Sequence, residues 1–439
     1  MSREQIAEFF RGKRTLILGF GREGRSTLTF LRSLLPEQEF TVADAHAVQT
    51  EDPRVRFQCG AGYLDSVNDF DVVMKSPGIS VKDVAIGPRT CVTCQTDLFL
   101  QYSDCKTTVG ITGTKGKTTT SSLIYAILQA AGVKSGLIGN IGVPVFDCLD
   151  DTGGMTAVIE MSSHQLEFCR HSPDIALLTN LYPEHLDHYN GYAGYVQAKL
   201  NIARYQTADG LFLINGDQDV SDAADLTCFP ARMGRIRMEE KKEPFVQELF
   251  ACNPHLRGEH FRYDILFALH AARELGIGEE AIRAGVAGFK GAPHRLEFVG
   301  EYRGIKWYDD AIATIPRAVE CGVEALGDVD TLIIGGMDRG LDYGEFEDYL
   351  CGCGVRHIVC LPDTGRAIGG ELIRRRANPA VYQAEDMEQA VQIAAQVTEA
   401  GRSCLLSPAA SSYNVYRNFE EKGRDFQRRI RGLEGSGAD

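Results

Sequence analysis

The chain has 439 residues, a length that suits about two to four domains, each large enough to bury a core. Hydrophobic residues make up 44% and charged residues 24%, ordinary for a globular protein, and a formal net charge of −14 argues against a nucleic-acid-binding surface, which needs clustered Lys and Arg. No run of about 18 apolar residues marks a membrane span, and the opening MSREQIAEFFRGKR lacks the apolar centre of a signal peptide.

The first strand signal is RTLILGF (14–20), followed by glycines and a helical stretch from Gly24. FTVAD (40–44) and DVVMKSP (71–77) follow, giving the βαβ pattern of a parallel sheet with helices on its faces. A second series runs through TTVGIT (107–112), TAVIEMS (156–162), IALLTN (175–180) and GLFLING (210–216). A third includes TLIIGG (331–336), HIVCLP (357–362) and SCLLSP (403–408). The three series predict three α/β domains, with weak boundaries near Cys94–Leu98 and Lys290–Pro293, and the closing EGSGAD reads as a frayed tail. The 13 cysteines are scattered and odd in number, as expected of reduced thiols in the cytosol. Cys91 and Cys94 form a CxxC and Cys351 and Cys353 a CGC, but they lie far apart, unlike the paired motifs of structural zinc.

Candidate chemistry gathers where these strands end. GFGREG, Gly19 to Gly24, matches GxGxxG between strand and helix, with Asp44 about 20 residues on, the dinucleotide fingerprint with its ribose-binding acid. Taken alone it says NAD, yet such a turn holds any pyrophosphate, and glycines serving only a tight turn would look the same. KSPGIS (75–80) is a second small-residue loop at that sheet edge, or a plain Ser-Pro turn. GITGTKGKTTTSS (110–122) looks like a phosphate-binding loop of the wrong length. The standard loop places its first glycine where this chain has Ile111, between Gly110 and Gly113. The amides of Gly113, Thr114, Lys115, Gly116, Lys117, Thr118 and Thr119 would face an anion at a helix start, Lys117 would neutralise phosphate charge, and the Thr118 hydroxyl would suit Mg²⁺.

Glu160 ends an apolar strand, and Glu184, His185, Asp187 and His188 crowd after the next one, as metal or phosphate ligands do in parallel sheets or as a surface turn would. Lys199 sits on the following helix and by itself reads as a solvated lysine. Later strand ends offer His294, Arg295, Asp309, Asp310, Thr314, Asp338, Arg339, Ser407, Ser411, Ser412 and Phe419, each of which could equally be ordinary loop chemistry.

Taken together, GITGTKGKTT, GNIGVP, EMSSHQLE, NLYPEHLDHY, PHRLE and LLSP…NFEEKG, in this order along the whole chain, resemble the Mur ligases, ATP-dependent amide ligases of peptidoglycan synthesis. That family uses a shortened Gly-Thr-x-Gly-Lys-Thr loop, which resolves the odd count. The resemblance implies an α/β protein of three domains. These are a Rossmann-like UDP-substrate domain (1–96), a central P-loop-type ATP/Mg domain with a mainly parallel sheet (97–291), and a Rossmann-like amino-acid domain (292–439). It implies a cytoplasmic monomer that adds D-glutamate to UDP-N-acetylmuramoyl-L-alanine through an acyl phosphate. Arg22, Glu23, Asp44, Ser76, Pro77, Gly78, Asn140 and Ser162 would serve the UDP-substrate. Gly113 to Thr119, Asp264, Arg295 and Asp310 would serve ATP. Two Mg²⁺ ions would be held by Thr118, Glu160, His185 and Lys199, the last carbamylated by CO₂. Lys117, Glu160, His185 and Lys199 would be the catalytic set. Thr314, Arg339, Ser412, Tyr413 and Phe419 would receive the amino acid.

Two motifs depart from the family pattern. Ile312 stands where many relatives carry Lys, with Ala311 in place of Ser, so a positive charge is lost from that loop. Phe261 and Asp264 stand where the family has Asn; an ionised Asp accepts from an adenine amino group but cannot donate. Arg339 stands where some relatives have Lys, and either serves a carboxylate. A sister ligase using another amino acid such as L-glutamate, a nucleotide-binding regulator on a decayed ligase frame, and an NAD-dependent dehydrogenase remain the competing expectations.

Overall fold

The computed structural model describes residues 2–434 apart from 141–143, 187, 219–225, 227, 255, 257–258, 339 and 377, so the expectations for Asp187, Arg339 and the last five residues of the tail lie outside the described residues. The chain divides into two compact units, one of Met1–Asn253 with Glu259–Phe289, the other formed chiefly by Lys290–Asp439.

The first unit holds two parallel sheets. β1 (Thr15–Leu18), β2 (Phe40–Asp44), β3 (Val55–Cys59), β4 (Val72–Lys75) and β5 (Cys91–Thr93) assemble in the order β3-β2-β1-β4-β5. The second sheet contains β6 (Thr107–Thr112), β7 (Ser135–Gly139), β8 (Thr156–Glu160), β9 (Ile175–Leu178), β10 (Leu211–Asn215) and β11 (Arg232–Ile236), in the order β11-β10-β9-β6-β8-β7. Central strands such as β1 and β8 are buried along their whole length, which is why they read as continuous apolar runs rather than alternating ones. The expected division near residue 96 falls inside this unit. One apolar core joins Phe30, Leu31 and Phe99 to Phe146, Ile159 and Leu178, with the Phe30 and Phe146 rings 4.5 Å apart.

The second unit is a six-stranded sheet of β12 (Glu297–Tyr302), β13 (Ile305–Asp309), β14 (Val329–Gly336), β15 (His357–Asp363), β16 (Ala380–Gln383) and β17 (Ser403–Leu406), ordered β12-β13-β17-β14-β15-β16. β12 pairs antiparallel with β13 and the other pairs are parallel. Separate apolar clusters cover its two faces, one around Trp307, Leu406 and Phe426, the other around Leu332, Phe346 and Leu405.

Two turns need glycine. A Cβ at Gly24 would sit 2.0 Å from the Gly19 carbonyl oxygen, so the helix Arg22–Leu34 can close onto β1 only without a side chain there. A Cβ at Gly113 would lie 1.9 Å from Thr179 Oγ1, so the loop after β6 packs directly against the end of β9.

Candidate active site

Parallel strands place their carboxyl ends along one edge, and in the second sheet that edge collects most of the expected chemistry. β6 runs into the loop Gly113–Gly116 and the helix Lys117–Ala130. β8 is its neighbour and ends at Glu160, in register with Ile111 and Gly139. β9, on the other side of β6, leads into Glu184 and His185.

Lys117 curls back over the loop, its Nζ donating to the carbonyls of Gly113 at 3.0 Å and Thr114 at 3.1 Å. Thr118 lies in the first turn of the helix, where free amides and the helix dipole favour an anion. The Thr114 hydroxyl bonds to Tyr195 Oη at 2.9 Å, and the Lys115 amide donates to Asn180 Oδ1 at 2.8 Å, fixing the loop to the next strand end. Glu160 is buried, 2% exposed. Its Oε1 accepts from Asn140 Nδ2 at 2.6 Å, while Oε2 has no hydrogen-bond partner among the described residues. A buried carboxylate oxygen left open beside a phosphate loop is a donor that fits a hard divalent cation.

Lys199 is also buried and is no solvated helix lysine. Nζ donates to the Gly113 carbonyl at 2.7 Å and lies 4.7 Å from the centre of the Tyr195 ring. Burial, with Lys117 next in effect, pushes its pKa well below the ordinary lysine value. His185 is half exposed, with φ of 54°, and its Nε2 stands 3.9 Å from Glu184, which pairs with Lys115 at 2.8 Å. A residue that the sequence reading passed over, His164, joins this group. Its ring lies 4.8 Å from His185 and 4.2 Å from His188. Burial, aided by the neighbouring His188 and His185, lowers its pKa to about 3 and keeps it neutral. The signal was present in EMSSHQLE, but helix periodicity gives an isolated His no special weight.

At the first sheet, Glu23 has its pKa raised to about 7 by burial, partly offset by Lys75 and Gln165. Asp44 is occupied by backbone: Oδ2 accepts from the Phe20 amide at 2.7 Å and Oδ1 from the His46 amide at 2.9 Å. Ser76 Oγ donates to the Gly19 carbonyl at 2.9 Å, tying the KSPGIS loop to the Gly-rich turn. Arg22 and Gly78 are exposed and Pro77 is partly so. The Ser162 hydroxyl caps the short helix Ser163–Leu166 in a capping box with Gln165. Asp264 comes under the Gly113–Gly116 loop, accepting from Thr120 Oγ1 at 2.9 Å and filling the space where a Cβ of Gly116 would go. Phe261 lies on the same helix, Glu259–Glu274.

In the second unit, Arg295 is exposed on a turn whose neighbours His294 and Leu296 both have positive φ, 58° and 44°. His294 Nδ1 bonds to Asp309 Oδ2 at 2.7 Å, and Gln427 Nε2 donates to Asp309 at 2.9 Å and to Glu297 at 3.0 Å. Burial opposes the His294 charge, but the Asp309 bond and charge outweigh it and raise its pKa. His294, Glu297 and Asp309 are, among the described residues, the acid and histidine group close enough to share a metal, and these hydrogen bonds already engage all three. Asp310 accepts from Ser407 Oγ at 2.7 Å, and burial, partly offset by that bond, raises its pKa to about 7. Thr314 and Ile312 are half-buried on the loop before the helix Pro316–Leu326. Ser412 Oγ is buried with no partner among the described residues, Tyr413 is 66% exposed, and Phe419 opens the helix Phe419–Arg431. All 13 cysteines are free thiols.

Lys422 was not anticipated. It is 2% exposed, donates to the Gly335 carbonyl at 2.6 Å, and burial lowers its pKa to about 7. Unfolded, the amine titrates near 10.5, so between about 7 and 10.5 the unfolded chain binds the extra proton and this group's contribution to stability rises with pH. Lys422→Met is expected to raise Tm at pH 7, with the advantage shrinking toward pH 10. Calorimetry across that range checks it, and a difference independent of pH would refute it.

Comparison with known proteins gives the family. Residues 111–270 match the Mur ligase middle domain and residues 294–410 the Mur ligase glutamate ligase domain. The chain is 31% identical to a UDP-N-acetylmuramoylalanine--D-glutamate ligase of Chlorobaculum parvum, over 97% of this chain and 98% of that one. It is 29% identical to the enzyme of the same name from Clostridium tetani, over 98% and 99%. Among solved structures it shares a fold with the UDP-N-acetylmuramate-alanine ligase MurC of Thermotoga maritima, with a TM-score of 0.54 at 16% identity over 96% of this chain and 99% of that one. It also shares a fold with the MurF ligase of that organism in complex with ADP, with a TM-score of 0.51 at 14% identity over 97% and 96%. No described helix is long and apolar enough to cross a membrane. The extended match of sequence, domain composition and fold shows that the chain belongs to the Mur ligase family.

Proposed function

We propose that the protein is an ATP-dependent ligase that joins D-glutamate to UDP-N-acetylmuramoyl-L-alanine in the cytoplasm, as a step of peptidoglycan precursor synthesis. The observation that carries this reading is the strand-end cluster of Lys117, Glu160 and Lys199 around the Gly113 loop, in a chain similar from end to end to D-glutamate ligases. Residues 1–96 would hold the UDP-sugar, 97–291 the nucleotide and metal, and 292–439 the amino acid.

The reaction has two steps. The substrate's terminal carboxylate attacks the γ-phosphorus of ATP, giving an acyl phosphate and releasing ADP. The amine of the amino acid then attacks the acyl carbon, phosphate leaves, and the amine gives up a proton. The protein's part is alignment and charge neutralisation. Lys117 would swing from the loop carbonyls onto the transferred phosphate. Thr118, Glu160 and His185, with Lys199 as its carbamate, would hold two Mg²⁺ ions, which supply charge stabilisation at the phosphates. A lysine kept neutral by burial is the form that adds to CO₂, releasing a proton and leaving an anion. Arg295 and Asp310 would serve ATP. Arg22, Glu23, Asp44, Ser76 to Gly78, Asn140 and Ser162 would serve the UDP-sugar. Thr314, Arg339, Ser412, Tyr413 and Phe419 would take the amino acid, and the buried open hydroxyl of Ser412 suits a carboxylate oxygen. Asp264 would act from beneath the loop, given its bond to Thr120.

Phosphate release from ATP with UDP-N-acetylmuramoyl-L-alanine tests this directly. It is expected with D-glutamate and absent with L-glutamate or no amino acid. Release with another amino acid would move the assignment to a sister ligase, and ATP binding without release would favour the decayed frame.

A further inference from the structure

The loops after β4 and β9 belong to different sheets, yet one chain of contacts ties them. Ser80 Oγ donates to the His188 backbone carbonyl at 3.0 Å. Glu167 Oε2 lies 3.3 Å from His188 Nε2 and 3.1 Å from Lys75 Nζ. Lys75 is the last residue of β4, directly before Ser76, and its side chain is 2% exposed. Its Nζ makes no aligned hydrogen bond among the described residues, so the pairing with Glu167 is a charge contact. Taking the Lys75 ammonium out of water, and most of the Glu167 carboxylate, whose side chain stays 17% exposed, costs free energy on both ions, and a well-packed apolar pair is often as stable or more so. Folding therefore gives little reason for these two charges.

Their position gives one. Glu167 grips the ring of His188, and the His188 amide donates to the His185 carbonyl at 3.1 Å. The turn so closed holds His185 at φ 54°, a conformation that a non-glycine residue keeps only where its surroundings impose it. We propose that the Lys75–Glu167 pair is a positioning device, which sets the His185 loop of the second sheet from the KSPGIS loop of the first. Neither residue touches substrate or metal; both act through His188. The inference rests on the reading that His185 serves the metal and Ser76 to Gly78 the UDP-sugar.

Lys75→Met, Glu167→Gln, the double variant and Ser80→Ala are compared with the intact protein for Tm, steady-state kinetics and Mn²⁺ affinity in the presence of ADP, read by electron paramagnetic resonance. Each single charge variant is expected to lose Tm, and the double variant to regain it. In all three kcat falls at least about tenfold and Mn²⁺ binds several-fold more weakly, while KM for ATP stays within about twofold. A double variant that regains Tm together with wild-type kcat and Mn²⁺ affinity overturns the proposal, because the pair then serves folding alone. If the charge variants do not fold, Ser80→Ala decides, since it cuts the other contact through which the first sheet's loop holds His188, without exposing a buried charge. A several-fold loss of kcat supports the proposal, and unchanged kcat and Mn²⁺ affinity overturn it. A wild-type protein without D-glutamate ligation would defeat the proposed function instead, and the Mn²⁺ measurement would still decide the positioning role.

Discussion

Lys199→Ala is expected to lower kcat for D-glutamate-dependent phosphate release by about 10²- to 10³-fold, the scale of losing one pre-organised electrostatic group. Two features make this residue more than a helix lysine. Its amine is buried against the Gly113 carbonyl and the Tyr195 ring, and burial together with Lys117 disfavours its charged form. A neutral amine is a nucleophile for CO₂, and the carbamate that results turns repulsion from Lys117 into attraction. Lys199→Arg separates this reading from a plain cation. Arginine can still donate to Gly113 but stays charged and forms no carbamate, so it should lose as much activity as alanine. A carbamate line in the carbon-13 spectrum with labelled bicarbonate should appear in the intact protein and vanish in both variants. Activity retained by Lys199→Arg would reduce the residue to a brace for the loop.

How much was legible beforehand follows from where each signal lives. The strands beginning at Thr15, Thr107, Thr156 and Ser403 are buried on both faces, and such strands announce themselves as apolar runs. β3, β7, β11 and β16 lie at the edges of their sheets and are only partly buried, as in Ala380–Gln383, exposed at both ends and half-buried between, so no run stands out. The place of the Gly113–Gly116 loop and of Glu160 at strand ends was readable because strand, turn and helix are contiguous. Lys199 was readable only through resemblance, since its partner Gly113 is 86 residues away. Asp264 shows the limit most clearly. Its bond to Thr120 spans 144 residues, and no spacing rule reveals that a helix late in the unit would come to lie under the phosphate loop. Lys75 and Lys422 are of the same kind: ordinary charged residues in the sequence, whose burial appears only once the sheets are assembled.

Glu160→Gln is expected to raise the Mg²⁺ concentration needed for half-maximal activity by about 10- to 100-fold, in line with what disturbing a metal's supporting shell costs, and to lower kcat by about 10²-fold at saturating Mg²⁺. The carboxylate is held from one side only. Asn140 donates to Oε1 and the aligned register of β7, β8 and β6 fixes the backbone, while Oε2 is buried and unpartnered among the described residues. A buried polar atom without a partner costs about 1 to 3 kcal/mol, so the metal-free protein carries a destabilising group at this strand end. Glutamine keeps the size and the Asn140 contact but removes the anion. The same substitution should therefore raise Tm in the absence of metal while it lowers activity, opposite signs that a merely structural glutamate would not give. Calorimetry without metal and a Mg²⁺ titration of phosphate release measure the two effects on one variant. If the Mg²⁺ requirement stays unchanged, Glu160 is not a ligand, and the open oxygen at the end of β8 needs another explanation.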